Sequence, residues 1–207
     1  MSPAEQRGKL VLLIGPSGVG KSVILTMLRK NHPELRFPRS ATTRARRAGE
    51  GDELYHFVTD AEFDRLLANG KFIETAIVHD QARYGTLVDE IIPSIQQGHV
   101  VVREVDVQGF DSIRGSPLFS GTGAPYRLQS IFILPENKEQ LIGRITRRAP
   151  IAEKELERRM ASMEKELGYA RFCDHTVINP AGKLTQTYRQ VEELILREDQ
   201  GRSTGIH

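Results

Sequence analysis

The chain has 207 residues, and its 29 basic and 27 acidic side chains leave a net charge of +2, which excludes the large single-sign field that drives bulk binding to nucleic acid or an anionic membrane. Its length suits one domain, it contains no apolar run near the ~20 residues of a membrane span, and its N-terminal MSPAEQRGKL lacks the apolar core of a signal peptide, so a soluble cytoplasmic protein is expected. The lone cysteine, Cys173, forms no internal disulfide, has no Cys/His cluster beside it for zinc, and is expected as a small buried residue.

Lys9 to Ile14 is an apolar run ending at a glycine, the pattern of a strand buried on both faces of a parallel sheet. A helix follows from Lys21 to Arg29. Residues 36–57 are rich in Arg, Thr and Gly without a period, and only Tyr55 to Val58 reads as a short strand. Thr59-Asp60-Ala61-Glu62 is a capping box opening a helix to about Ala68, which Asn69-Gly70 ends. Lys71 to His79 is strand-like, Thr86 can cap a helix to Gln97, and His99 to Val105 is a second buried strand ending at Asp106. GSPLFSGTGAPY, between Ile113 and Arg127, reads as a flexible surface excursion, and Ser130 to Leu134 as a third buried strand. A helix from Pro135 to Arg147, a break at Ala149-Pro150, an exposed charged helix from Ala152 to about Tyr169, a strand from Thr176 to Ile178 and a helix from Leu184 to Leu196 complete the chain. Alternating strands and helices of this kind predict an α/β fold with a doubly wound parallel sheet. Ligands then bind at the carboxyl ends of strands, which aligns Gly15, Asp106 and the residues after Leu134 along one edge.

Gly15-Pro16-Ser17-Gly18-Val19-Gly20-Lys21-Ser22 fits G-x-x-x-x-G-K-[ST] and falls between a buried strand and a helix. Glycines at these positions let successive backbone N–H groups face phosphates, and the helix N-terminus adds positive potential. Lys21 is placed to reach the β- and γ-phosphates, and Ser22 offers a hydroxyl to Mg²⁺. These features predict a P-loop NTPase fold holding a nucleoside triphosphate.

A second anion site is suggested by Arg36, Arg39, Arg44, Arg46 and Arg47, which have only Phe37 among them as an aromatic and so lack stacking platforms for nucleic-acid bases. Arg44 and Arg47 can each present a planar fork to a monoester phosphate, with hydroxyl donors available from Ser40, Tyr55 and Tyr84. Taken alone, the segment also reads as a solvated basic loop.

Together, Gly15-Pro16-Ser17-Gly18, Ser40-Ala41-Thr42-Thr43-Arg44, Tyr55-His56-Phe57, Phe72-Ile73-Glu74, Tyr84-Gly85-Thr86 and Asp106-Val107-Gln108-Gly109 resemble the guanylate kinases in order and spacing, from about Leu10 to Leu196. The resemblance implies transfer of the ATP γ-phosphoryl group to GMP, with dGMP as a further acceptor, in purine nucleotide metabolism. It implies that Ser40, Glu74 and Thr86 read guanine, Glu74 by accepting from the N1 and N2 hydrogens. A carboxylate there discriminates against adenine, which presents an acceptor on the corresponding edge. Taken alone, Glu74 would be an exposed strand residue. Arg44, Arg47, Tyr55 and Tyr84 resemble the clamp on the GMP phosphate. Asp106 is similar to the acidic residue near the metal and the acceptor, with Glu104 on the same strand face, although acidic residues at strand ends also simply cap turns.

The spacings of Arg144, Arg148 and Arg159 are those of the family's lid, so Arg148 and Arg159 resemble the arginines that close on ATP phosphates. Asn179 resembles the position near the adenine ring. The implied organisation is one domain: a core of about 9–36, 98–143 and 170–197, a mobile GMP-binding part of about 37–88 and a helical lid of about 144–160, acting as monomer or homodimer.

The chain departs from the pattern at Val23, at Phe37-Pro38-Arg39, at Glu104 where Asp is commoner, and at Pro180 after Asn179. It also has a longer 115–127 segment and one residue fewer between Glu50 and Tyr55. Two alternatives remain at this stage: a guanylate-kinase-like module that binds phosphopeptides, against which the intact Lys21 and Ser22 weigh, and a P-loop kinase with another phosphorylated acceptor such as a sugar phosphate.

Overall fold

In the computed structural model, which describes residues 8–78, 82–148 and 153–197, strand β1 (Lys9–Ile14) lies at the centre of the molecule with all six residues buried. Its side chains alternate between two cores. Val11 and Leu13 pack with Ile24 and Leu28 of helix α1 (Lys21–Asn31) and with Val191 and Ile195 of the last helix. Leu10, Leu12 and Ile14 pack on the other face with Ile91, Ile95, Phe110 and Ile113. A strand whose odd and even residues are both apolar must be covered twice, and this is why the sheet is doubly wound.

The small sheet and its helix follow α1. Strands β2 (Ser40–Thr42) and β3 (Tyr55–Phe57) precede helix α2 (Asp60–Ala68), and β4 (Phe72–Val78) and β5 (Ala82–Leu87) follow it. Helix α3 (Val88–Gln96), strand β6 (Val100–Glu104) and helix α4 (Val107–Gly115) return the chain to the core. Strand β7 (Arg127–Pro135), helices α5 (Lys138–Arg148) and α6 (Glu153–Leu167), a 3₁₀ turn at Gly168–Phe172, strand β8 (His175–Asn179) and helix α7 (Leu184–Leu196) complete it. The core sheet runs β6-β1-β7-β8, all parallel, and Arg36 adds a single parallel bridge to Val101 at its β6 edge. The second sheet runs β3-β2-β5-β4, with β2–β3 parallel and the other pairs antiparallel.

The capping box forms as expected, Thr59 accepting from the Glu62 N–H while the Glu62 side chain accepts from the Thr59 N–H. Thr86 caps nothing. It lies within β5, and α3 starts two residues later behind Leu87. The β2 and β5 strands escape a reading of periodicity because β2 is only three residues long and β5 (ARYGTL) carries no alternation. Gly85 in β5 has a steric role: a Cβ there would meet the Phe72 ring at 2.5 Å, and that ring stacks on Phe63 with centroids 4.5 Å apart.

Two surface expectations are corrected by packing. The 115–127 segment is not a free excursion, because Phe119 is buried against the α3–α4 face of the core and Tyr126 accepts from Gln96 at 2.8 Å. Nor is α6 merely a solvated helix, since Met163 is buried in one core and Leu167 packs against both. Cys173 is only half-buried, and burial pushes its thiol up to about 11, so it is inert at neutral pH. Among the described residues, no helix is long and apolar enough to cross a membrane.

Candidate active site

The loop between β1 and α1 turns at Gly15, Gly18 and Gly20, which have φ of 144°, 84° and 111°, a left-handed backbone that other residues adopt at a cost. Gly20 is also sterically fixed, since a Cβ would lie 2.7 Å from the Asn179 side-chain nitrogen. Pro16 O accepts from Val19 N–H at 3.3 Å. Lys21 is 8% exposed, its ammonium donating to Gly15 O and, at 3.1 Å, to Pro16 O. Burial lowers the Lys21 pKa, opposed by the Glu104 carboxylate 3.8 Å away. The loop lines a cavity of about 470 Å³ with Ser17 and Ser22, faced by Glu104 and Asp106 from the end of β6 and by Glu166 from α6. The departure at Val23 lies on this rim, exposed.

Asn179 sits behind this loop. Its side-chain NH₂ donates to Val19 O at 2.8 Å, its side-chain oxygen accepts from Thr187 at 2.9 Å, and it is 2% exposed. Arg144 donates to the same Val19 O at 3.1 Å and is 3.4 Å from Asn179 O. In this structure both residues brace the loop. Asp106 N-caps α4, its carboxylate accepting from Gly109 N–H at 2.7 Å, so the capping role and a place on the phosphate cavity coincide in one residue. Ser22 donates to Glu104 at 2.9 Å, which places the strand-end acid beside the last hydroxyl of the loop.

The second cavity, about 380 Å³, adjoins the first. Ser22 and Glu104 line both, and Ser40, Tyr55 and Arg103 line the second with residues of α1. Ser40, Thr86 and Glu74, far apart in sequence, occupy one row across β2, β5 and β4: Ser40 is registered on Thr86, and Thr86 on Glu74. Thr86 donates to the Glu74 carboxylate. The Glu74 side chain is only 8% exposed, so the reading of it as an exposed strand residue is corrected. Arg44 grips Glu50 through both terminal nitrogens, at 3.0 and 2.6 Å, donates from Nε to the Tyr84 hydroxyl at 3.2 Å, and lies 5.3 Å from the Tyr55 ring centre. The Arg44 fork and the Arg47 N–H hold Glu50 down at about 2, and Glu50 in turn raises the Arg44 pKa. The Arg47 side chain is exposed beside this group, while burial raises the Tyr55 pKa. Glu90 of α3 ties in the departing Arg39 at 3.0 Å and His56 at 2.6 Å.

The side chains of Arg148 and Arg159 lie outside the described residues. Four contributors are not foreseen by the sequence reading: Glu50, Glu166, the contact of Arg144 with the loop, and Arg103. The first three are ordinary surface charges by pattern. Arg103 leaves a trace, as the one basic residue inside the apolar run His99 to Val105. It donates to the Ser40 hydroxyl at 3.0 Å, and burial lowers its pKa against the raising effect of Glu74.

A phosphate loop at the carboxyl end of the central parallel strand, adjoining a second cavity lined by Ser40, Tyr55 and Arg103, defines a protein of the P-loop NTPase fold. The guanylate kinase family model matches residues 7–198, and the chain belongs to that family. It is 37% identical to the guanylate kinase of Leifsonia xyli subsp. xyli, over 94% of this chain and 73% of that protein. It is 36% identical to that of Streptomyces kasugaensis, over 95% and 91%, and 40% identical to that of Trichormus variabilis, over 83% and 82%. In fold it is similar to the crystal structure of guanylate kinase from Anaplasma phagocytophilum, with a TM-score of 0.64 over 92% of this chain and 85% of that one at 24% identity.

Proposed function

We propose that the chain transfers the γ-phosphoryl group of ATP to GMP, giving ADP and GDP, as a cytoplasmic enzyme of purine nucleotide metabolism. The observation that carries this reading is that the donor and acceptor cavities meet at Ser22 and Glu104. Two bound nucleotides then present their phosphates to one another across a shared wall, the alignment that phosphoryl transfer requires.

The donor half is the 15–22 loop, whose N–H groups take the triphosphate while Lys21 leaves the loop carbonyls for phosphate oxygens. In the acceptor half, Ser40, Thr86 and Glu74 take the guanine, and Arg44, Arg47, Tyr55 and Tyr84 the monoester phosphate. The acceptor is already an anion, so no strong general base is needed, and Arg44 offsets its charge. Its fork is held in place by Glu50 and Tyr84 before any substrate arrives. Ser22 directs its proton to Glu104, which leaves its oxygen lone pairs free. With the carboxylates of Glu104 and Asp106, this all-oxygen donor set fits Mg²⁺ held mainly through nucleotide phosphates. The ion, when bound, supplies charge neutralisation on the β- and γ-phosphates.

Arg148 and Arg159 are proposed to complete the donor site from the 144–160 lid, which closes with the 37–88 part on the core and excludes water. Asn179 contributes to ATP binding by bracing the loop at Val19. The test is ADP release with ATP, Mg²⁺ and a panel of nucleoside monophosphates. Turnover of GMP far above AMP, CMP and UMP is expected, and activity with none of them removes this function.

A further inference from the structure

A charge in the middle of a buried strand is costly unless its donors are met. Arg103 follows the buried Val101 and Val102 in β6 and is itself only 9% exposed. A guanidinium carries five N–H donors. Nη2 reaches Ser40 Oγ at 3.0 Å and lies 3.5 Å from Glu74 Oε1. Nε is buried without a partner, and Nη1 makes no hydrogen bond among the described residues. The protein thus leaves an incompletely satisfied guanidinium on the wall of the acceptor cavity.

We propose that Arg103 is a specificity-determining residue that donates to the O6/N7 edge of the acceptor guanine, completing a base reader of which Glu74 is the other half. This inference rests on GMP being the acceptor. Glu74 and Arg103 set an acceptor and a donor side by side, 3.5 Å apart. Guanine presents the complement, an N1–H donor next to the O6 acceptor, with N7 beyond it. Adenine reverses both, and an arginine fork on O6 and N7 is the commonest way proteins select guanine in nucleic acids. Glu74 also balances the buried charge, which keeps the fork in place when the pocket is empty.

The test compares the wild-type protein with Arg103→Met in steady-state phosphotransfer to GMP, to 6-thio-GMP, whose sulfur is a weak acceptor at position 6, and to IMP, which lacks the 2-amino group facing Glu74. One good arginine–guanine contact corresponds to roughly 5- to 150-fold. The wild type should therefore prefer GMP over 6-thio-GMP by about tenfold or more, and Arg103→Met should lose GMP efficiency by a similar factor, mainly through KM. In the variant the preference for GMP over 6-thio-GMP should shrink severalfold, with the GMP-to-IMP ratio kept. A residue that only holds Glu74 in place would shift the IMP ratio and leave the thio ratio at its wild-type value, and that result overturns the proposal. If Arg103→Met does not fold, Arg103→Lys keeps the charge without the fork: a reduced thio ratio supports the assignment, and an unchanged one overturns it. No GMP turnover by the wild type would defeat the proposed function itself, whereas normal turnover with an unchanged thio ratio would defeat only the Arg103 assignment.

Discussion

The two sheets of this molecule are held together by different physics. In the core sheet every residue of β1 is buried and both faces are packed with apolar side chains, so its order follows from area removed from water. The small sheet has strands as short as three residues and is organised by polar contacts: Arg44 with Glu50 and Tyr84, Arg39 and His56 with Glu90, Thr86 and Arg103 with Glu74. Apolar packing is indifferent to ligands, but charged contacts of this kind can be exchanged for those of a nucleotide. The phosphate loop is therefore mounted on the sheet held by apolar packing, and the proposed acceptor side on the sheet held by polar contacts.

Substitutions on the two sides should separate stability from recognition. The largest effect is expected from Lys21→Met, which removes the cation from a loop the core keeps in place. Turnover efficiency should fall about 10³-fold, roughly 4 kcal/mol in the transition state, with the melting temperature maintained. Unfolding in place of inactivation would mean that the loop is not independently braced. Next is Leu12→Ala, at a fully buried site of the core sheet, which should cost about 3 kcal/mol in urea unfolding and leave both KM values near wild type. A KM change confined to GMP would show that the sheets are not separable. Glu74→Gln should act the other way, raising the KM for GMP about ten- to hundredfold while the KM for ATP stays put. Unaltered discrimination between GMP and AMP would remove Glu74 from base reading.

The smallest effect concerns pH. The folded-state pKa of Glu50, about 2, lies below its ordinary 4.5, so the unfolded chain takes up the proton first. The stabilisation it gives is complete above about pH 4.5 and is lost as pH falls toward 2. Thermal melts of wild type and Glu50→Gln should therefore converge as pH drops through this window, and parallel curves would count against the Arg44–Glu50 pairing.

The same contrast explains what the sequence made legible. Continuous apolar runs at Lys9 to Ile14, His99 to Val105 and Ser130 to Leu134 announce buried parallel strands, and the Thr59–Glu62 box and Leu184 to Leu196 announce helices, because hydrophobic period and capping are local properties. The row Ser40–Thr86–Glu74 has no such local signature. It arises from pairing three strands far apart in the chain, one of them three residues long, so only the resemblance to a family pointed to it. Asn179 illustrates the same limit: the resemblance pointed only to a position near an adenine ring, whereas the bracing of the loop, with its amide taken up by Val19 and Thr187, depends on how α7 packs behind β8. Arg103 is a charge within an apolar run, but nothing local gives it a meaning, which depends on Ser40 and Glu74 facing it from another sheet.

If two nucleotide pockets share the wall at Ser22 and Glu104, one ligand can span both, and calorimetric binding of adenosine and guanosine joined through five phosphates, compared with ATP alone and GMP alone, tests this. One equivalent is expected to bind at least a hundredfold more tightly than either nucleotide, about 3 kcal/mol or more from joining the two halves. Affinity no greater than that of ATP alone would contradict it.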